Sequence, residues 1–182
     1  MNNKNTRMIV EAGICIALST ILSFIKLFEL PLGGSVTLAA RLPLVIFAIR
    51  WGFKKGIVAG AIFGLVQIAL GGYVIHPVQG FLDYVVSYGF MGLSGIRFSK
   101  NFSKTTFIPS VILAYLFSGA ANVLSGMIYF YDMTTAVKYG FHSFLVYNLA
   151  YNYSFLVLDC AILLLILVLT FDRLKNLYSL QA

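Results

Sequence analysis

Charge is what this sequence has least of. Only 10% of its 182 residues are Asp, Glu, Lys or Arg, and just 6 are acidic, where a soluble domain carries about 25% charged residues. With 60% of the chain hydrophobic, there is too little polar surface for a water-soluble fold. A membrane protein is expected, and by length a single domain over residues 1–182. The constellations of catalysis are missing too. There is no HExxH, no GxSxG, no P-loop and no pair of carboxylates on one helical face. An integral-membrane enzyme would need such a nucleophile or metal cluster, so enzyme chemistry is not expected. Without a nucleotide-binding stretch, uphill movement of a solute would have to draw on a partner or an ion. Cysteine is scarce: Cys15 and Cys160 sit in apolar runs without metal or CxxC spacing and read as small buried hydrophobes. The first apolar run lacks a small-x-small cleavage site, so a removable leader is not expected.

What is present is a series of long, continuous apolar runs. Lipid offers the backbone no hydrogen bonds, so spans must be helices or a closed barrel. Continuous runs, rather than alternation every second residue, favour helices. Six spans are predicted: 8–27, 35–50, 56–70, 77–96, 107–130 and 141–171. The second and third are short, which points to a bundle with uneven ends. No internal repeat and no long linker interrupts the series. With both termini in the cytoplasm, ten of the 13 basic residues fall on the inner side, among them Arg50, Lys54, Lys55, Arg97, Lys100, Arg173 and Lys175. The positive-inside rule is then satisfied. The net charge of +7 reads as a topology signal, and no motif supports nucleic-acid binding.

The polar residues inside the spans collect on the outer side. The stretch VIHPVQGFLDYVVSYG, residues 74–89, puts His76, Gln79, Asp83 and Tyr84 in the outer half of span four. Gln79, Asp83 and Ser87 are four apart, so they share one helical face, with His76 three before Gln79 on the same face. Span five contributes Asn122 and, near its outer end, Phe130. Span six contributes Ser143, Tyr147 and Tyr151 as a stripe, with Asn148 and Asn152 beside it. Two polar stripes on neighbouring helices imply a pocket between them. A charge in a span costs about 2.5–3.5 kcal/mol on insertion scales, so it faces a partner or a cavity. For Asp83 two readings stay open: contact with a ligand, or a structural bond such as a pair with Arg41. His76, before Pro77, fits a ligand contact or an interface residue, and the aromatics fit a pocket or a membrane-interface belt. Asp159, deeper in span six, either pairs with another helix or is partly protonated.

The residues also resemble a known family. The marks are GGS at 33–35, PLVIFAIRWG at 43–52, HPVQ at 76–79, LDY at 82–84, GLSG at 92–95, the SG of NVLSGMIYF and the YN of LVYNLAY. Together they are similar to ThiT, the thiamine-specific substrate-binding (S) component of energy-coupling factor (ECF) transporters. The resemblance covers almost the whole chain. It implies an all-α membrane protein with six transmembrane helices, the S-component fold and both termini cytoplasmic, in the bacterial plasma membrane. It implies an outward-facing vitamin pocket without a cofactor of its own. It also implies docking onto an ECF transmembrane subunit and two ATPase subunits, which alone use ATP. The docking pair of small residues on the first helix is matched by Gly13 and Ala17 in AGICIAL.

Residue by residue, the resemblance assigns Asp83 and Tyr84 to the pocket, with the carboxylate suited to a cationic thiazolium. Asn148 is the family's asparagine of span six, and Phe130 stands at its stacking aromatic. Gln79, Tyr147, Arg41 and His76 complete the expected set, from their place among the outer-side polar residues and not from the resemblance. Four positions depart from the pattern. Asn122 replaces a histidine, Ser143 a tyrosine, Gly34 a tryptophan of the first outer loop, and Arg41 an apolar residue. An arginine facing the pocket would favour an anionic ligand or neutralise Asp83. Thiamine is the expected ligand. A relative such as a thiamine phosphate, the hydroxymethyl pyrimidine or a pyridoxine-like vitamin is the alternative. A solitary ion-coupled secondary transporter is a further reading, for which Asp159 would be the proton site.

Overall fold

The computed structural model describes residues 3–30, 34–96 and 103–178. Arg97 and Lys100 lie outside the described residues, as do the side chains of Arg173 and Lys175. The chain is mostly helical. Helix α1 (Asn3–Ser23) leads into a short hairpin of β1 (Lys26–Glu29) and β2 (Ser35–Thr37). Then follow α2 (Leu42–Trp51), α3 (Phe53–Ala69), a composite α4 (77–95), α5 (Lys104–Tyr129), a small α6 (Met133–Lys138) and α7 (Phe144–Tyr178).

The helices follow the predicted runs with shifted ends. The expected second span began at Ser35, but Ser35–Thr37 is a strand and α2 starts only at Leu42. The stretch is apolar because Val36 is buried as strand core, not because it is helical. Pro43 then sits in the first turn of α2, where a missing N–H costs nothing. The pattern also hid α6, whose N-cap Asp132 accepts from the Thr134 amide at 2.9 Å. Among the described residues, Lys4–Ser23, Thr106–Tyr129 and Phe144–Asp172 are long and apolar enough to cross a membrane. Leu42–Trp51 is a shorter apolar helix.

Glycine sets the tightest packing. Gly56, Gly60 and Gly64 of α3 are four apart and form one stripe. A Cβ on Gly60 would collide with the carbonyl oxygen of Tyr88, and one on Gly64 with that of Tyr84. In return, a Cβ on Gly92 of α4 would strike the backbone of Ile57. The two backbones therefore touch, which only small residues permit. Gly52, at φ +88°, closes α2 and returns the chain directly into α3, a conformation that glycine adopts freely.

Helix α4 is the centre of the bundle, against α2, α3 and α5. It is not a regular helix: Pro77–Gly80 is α, Phe81–Val86 is a π-turn, Ser87–Gly89 is α and Phe90–Gly95 is 3-10. The main core lies between α2, α4, α5 and α7, with Val45, Met91, Val111, Leu156 and Leu163 at most 1% exposed. Helix α1 is attached at the rim. Met8, Ala12, Cys15 and Ile16 pack on Phe47, Trp51 and Ala59. Glu11 accepts from Trp51 Nε1 at 2.7 Å and ion-pairs with Arg50 at 3.0 Å. The opposite side of α1 carries Gly13 and Ala17, both exposed, and a Cβ on Gly13 would meet nothing. Internal packing therefore does not account for that pair. Cys15 and Cys160 are free and half-buried rather than fully buried.

One charged cluster crosses this apolar interior. Arg41 Nη1 donates to Asp159 Oδ2 at 2.6 Å, with side-chain exposures of 9% and 0%. Asp159 also accepts from Tyr115 Oη at 2.7 Å and Thr37 Oγ1 at 3.3 Å. The guanidinium lies 5.2 Å from the ring centre of Tyr88 and 5.4 Å from that of Tyr115. The cluster joins β2, the start of α2, α4, α5 and α7.

Two outcomes follow for detergent-solubilised protein in thermal or denaturant unfolding. Asp159→Leu strands a buried guanidinium and is expected to cost about 3–5 kcal/mol, while Arg41→Met/Asp159→Leu together cost much less. Gly60→Ala is expected to cost about 1–3 kcal/mol by overpacking. A similar change at exposed Gly13 should leave the midpoint in place.

Candidate ligand-binding site

A cavity of about 490 Å³ opens at one end of the bundle. Its walls are the last turns of α1, α3 and α5, the hairpin, and the first turns of α4 and α7. The start of α1 with Arg7, the α2–α3 junction with Arg50, Lys54 and Lys55, and the start of α5 with Lys104 lie at the other end of their helices. The cavity thus lies at the end opposite these basic residues, although Lys26 and Arg41 line it.

Of the residues expected at a site, Arg41, Gln79, Asp83, Tyr84, Asn122, Phe130, Tyr147 and Asn148 line this one cavity. The reason on α4 is the π-turn. In a regular α-helix Gln79, Asp83 and Ser87 would share a face. A π-turn closes i→i+5 hydrogen bonds and so inserts one residue into the helix; Tyr88, five after Asp83, lines the cavity instead. Ser87 turns away, fully buried, to hydrogen-bond Ser118 of α5 at 2.7 Å.

Gln79 is a brace. Its Nε2 donates to Asp83 Oδ2 at 2.6 Å and to the Tyr73 carbonyl at 3.1 Å, and its Oε1 accepts from the Ile75 amide at 3.0 Å. Both amide hydrogens are used, so Gln79 fixes Asp83 and the α3–α4 loop rather than offering itself to a ligand. Asp83 has no Lys, Arg or His partner among the described ion pairs.

On α5, Asn122, Gly126 and Phe130 are four apart and face the cavity together. Gly126 has no side chain because Asn148 occupies that space. Asn148 Nδ2 donates to the Val123 carbonyl at 2.8 Å and its Oδ1 accepts from Asn152 at 2.7 Å. This pins α7 to α5. Asn122 Oδ1 is buried without a hydrogen-bond partner among the described residues. Aromatic rings frame the mouth: Phe130 stacks on Tyr73 at 6.1 Å, and Tyr147 on Tyr139 at 5.9 Å. Where the family pattern would have a tryptophan, Gly34 donates its amide to Tyr151 Oη at 3.2 Å, and Tyr151 with Phe155 fills the space of a Cβ.

Two expected residues are not in the wall. His76 is exposed; its Nδ1 accepts from the Val78 amide at 3.2 Å as the helix cap, and its ring stacks on Tyr129 at 5.0 Å. The proline after it makes it the residue before a helix, and a cap is what that position needs. Ser143, exposed just before α7, contributes a carbonyl to Tyr147 N at 3.1 Å.

Arg41 corrects an expectation. It reaches the cavity, but its charge is spent on Asp159 and not on Asp83. Lys26 is likewise paired with Glu29 at 2.7 Å. The wall also includes Gln67, Tyr73, Tyr88 and Glu29, which the sequence reading did not select. Gln67, a polar residue near the outer end of an apolar run, and Tyr88, inside the polar stretch itself, carried a signal. Glu29 carried none, because its place depends on the hairpin.

The chain is similar to other proteins, to most of them over nearly its full length. Thiamine transporter ThiT of Bacillus subtilis (strain 168) is 33% identical over 191 aligned positions, covering 94% of this chain and 95% of that one. Thiamine transporter ThiT of Lacticaseibacillus paracasei is 32% identical over a shorter stretch, 32% of this chain and 31% of that one. Among solved structures, ThiT from Listeria monocytogenes superposes with a TM-score of 0.77 at 22% identity, covering 97% and 99% of the two chains. The S component of a bacterial ECF transporter superposes with 0.63 at 15% identity, covering 96% and 99%. These likenesses and the apolar helices make the chain a membrane protein of transporter kind, and not an enzyme. The family model described as thiamine transporter protein (Thia_YuaJ) matches residues 9–179, and the chain belongs to that family.

Proposed function

We propose that this protein is the substrate-capturing S subunit of an ECF-type importer and that its cavity binds thiamine from outside the cell. One observation carries the ligand class: Asp83 is the charged group of the cavity wall that lacks a counter-ion, since Arg41 and Lys26 are each paired with a carboxylate. Held by Gln79 at the edge of an aromatic-framed space, a lone carboxylate favours a flat organic cation. Thiamine, with a thiazolium ring, is such a cation, and the full-length relative from Bacillus subtilis bears its name. Tyr84, Asn122, Phe130, Tyr147 and Asn148 form the rest of the contacting wall, with Gln79 as brace.

In this reading six helices, α1–α5 and α7, span the bacterial plasma membrane. Both termini and the basic end lie in the cytoplasm, and the cavity faces outward. The subunit holds no cofactor. Uptake is driven by ATP hydrolysis in two ATPase subunits, transmitted by an ECF transmembrane subunit docked on Gly13 and Ala17 of α1. The exposed, unpartnered position of that pair supports the docking surface. A solitary secondary transporter is disfavoured: Asp159, its proton site, is held by Arg41, Tyr115 and Thr37.

Two measurements test this. Calorimetric titration of the purified protein with thiamine is expected to give tight binding that Asp83→Asn weakens more than tenfold, about 1.4 kcal/mol. Calorimetry suits the case, because Trp51, the only tryptophan, sits at the other end of the bundle. Unchanged affinity in Asp83→Asn would remove that carboxylate from the site. For docking, Gly13→Trp and Ala17→Trp should retain thiamine binding but lose co-purification with the ECF module and ATP-dependent uptake. Uptake at the wild-type rate would move the interface elsewhere.

A further inference from the structure

The charge of the ligand is set by more than Asp83. Among the described residues, four ionisable side chains reach the cavity with a formal charge: Lys26, Glu29, Arg41 and Asp83. Arg41 is the deepest of the cations, only 7% exposed, and it is the group best placed to hold a phosphate or carboxylate, which arginine recognises with its forked donors. Asp159 prevents this. It is absent from the cavity wall and fully buried, so it lies behind Arg41 as seen from the ligand. Its Oδ2 holds Arg41 Nη1 at 2.6 Å, and Tyr115 and Thr37 hold Asp159 in turn. The rings of Tyr88 and Tyr115 also hold the guanidinium by cation–π contact.

We propose that Asp159 is a specificity-determining residue: from behind the cavity it neutralises Arg41, and so keeps a site that contains an arginine selective for a cationic, unphosphorylated ligand. This rests on the thiamine reading above. Asp159 touches no ligand and acts through Arg41 as a positioning residue. The pairing is electrostatic bookkeeping with a consequence: remove the carboxylate and the same cavity presents Arg41 as an anion site. The paired Lys26–Glu29 at the mouth adds no second anion site, so the effect is isolated to one residue.

The test compares affinities for thiamine and thiamine monophosphate, by calorimetry, in the same protein. Thermal melting first establishes that each variant is folded. In Asp159→Asn the preference for thiamine over its monophosphate is expected to fall at least tenfold, through weaker thiamine and stronger monophosphate binding. In the neutral double variant Arg41→Met/Asp159→Leu, the preference should stay within twofold of the wild type, because a cancelled pair has been exchanged for no pair. A folded Asp159→Asn with the wild-type preference overturns the proposal. So does a double variant whose preference for thiamine rises tenfold, since Arg41 would then be felt by the ligand despite Asp159. If Asp159→Asn does not fold, Asp159→Ser, which likewise leaves Arg41 without its carboxylate, is read against the same two outcomes. Wild-type protein that binds neither compound would instead refute the thiamine reading, a separate outcome visible before any variant is made.

Discussion

The fold is organised around a salt bridge that its apolar setting makes compulsory. In a core of Leu, Val and Phe, Asp159 cannot find water, and Arg41, only 7% exposed, finds little. Each therefore needs the other, and the hydroxyls of Tyr115 and Thr37 complete the shell. Because the partners come from β2, the start of α2, α5 and α7, satisfying two charges fixes the relative placement of four segments. Tyr88 adds α4 through its ring. Arg41 sits at the floor of the cavity with Asp159 behind it, so the element that fixes the packing also fixes that floor.

Above that floor, the geometry of the wall follows from two local features. The glycine stripe of α3 lets α4 come into backbone contact, and the atoms it meets are the carbonyls of Tyr84 and Tyr88, the residues that face the cavity. The π-turn over Phe81–Val86 rotates the lower part of α4 so that Tyr88 joins Asp83 on the cavity side. A bulge of this kind weakens a helix and is common where function needs a particular side-chain direction. Here the close α3 packing stabilises it. Across the cavity, Gly126 performs the matching task for α7: it yields its side-chain volume to Asn148, which bridges to α5.

The charge pattern divides the molecule by function. Acid and base are matched within the interior and at the mouth, and one carboxylate is left over at the wall. At the far end Glu11 binds Arg50 and Trp51 and holds α1 by its inner turns, while the opposite side of α1, with Gly13 and Ala17, is open. A helix tied by one face and free on the other suits a subunit that offers α1 to a partner.

Several of these features could be read from the residues alone. Low charge and long apolar runs required a helical membrane protein, because lipid leaves the backbone no other way to bond. The clustering of Asn122, Asp83, Tyr147 and Asn148 toward one side required a polar pocket at that end, since each would otherwise face hydrocarbon. The motif pattern agreed with the family that the full-length comparison shows. What a linear pattern could not decide was pairing. Arg41 and Asp159 are 118 residues apart, and no periodicity connects them, so an arginine in the cavity read as a ligand group. Regular spacing put Ser87 in the wall and missed Tyr88, because a π-turn is a product of packing and not of local preference. His76 and Ser143 fell on the right side of the bundle but outside the cavity, since membrane depth is encoded by hydropathy while the direction of a side chain is settled only when helices meet.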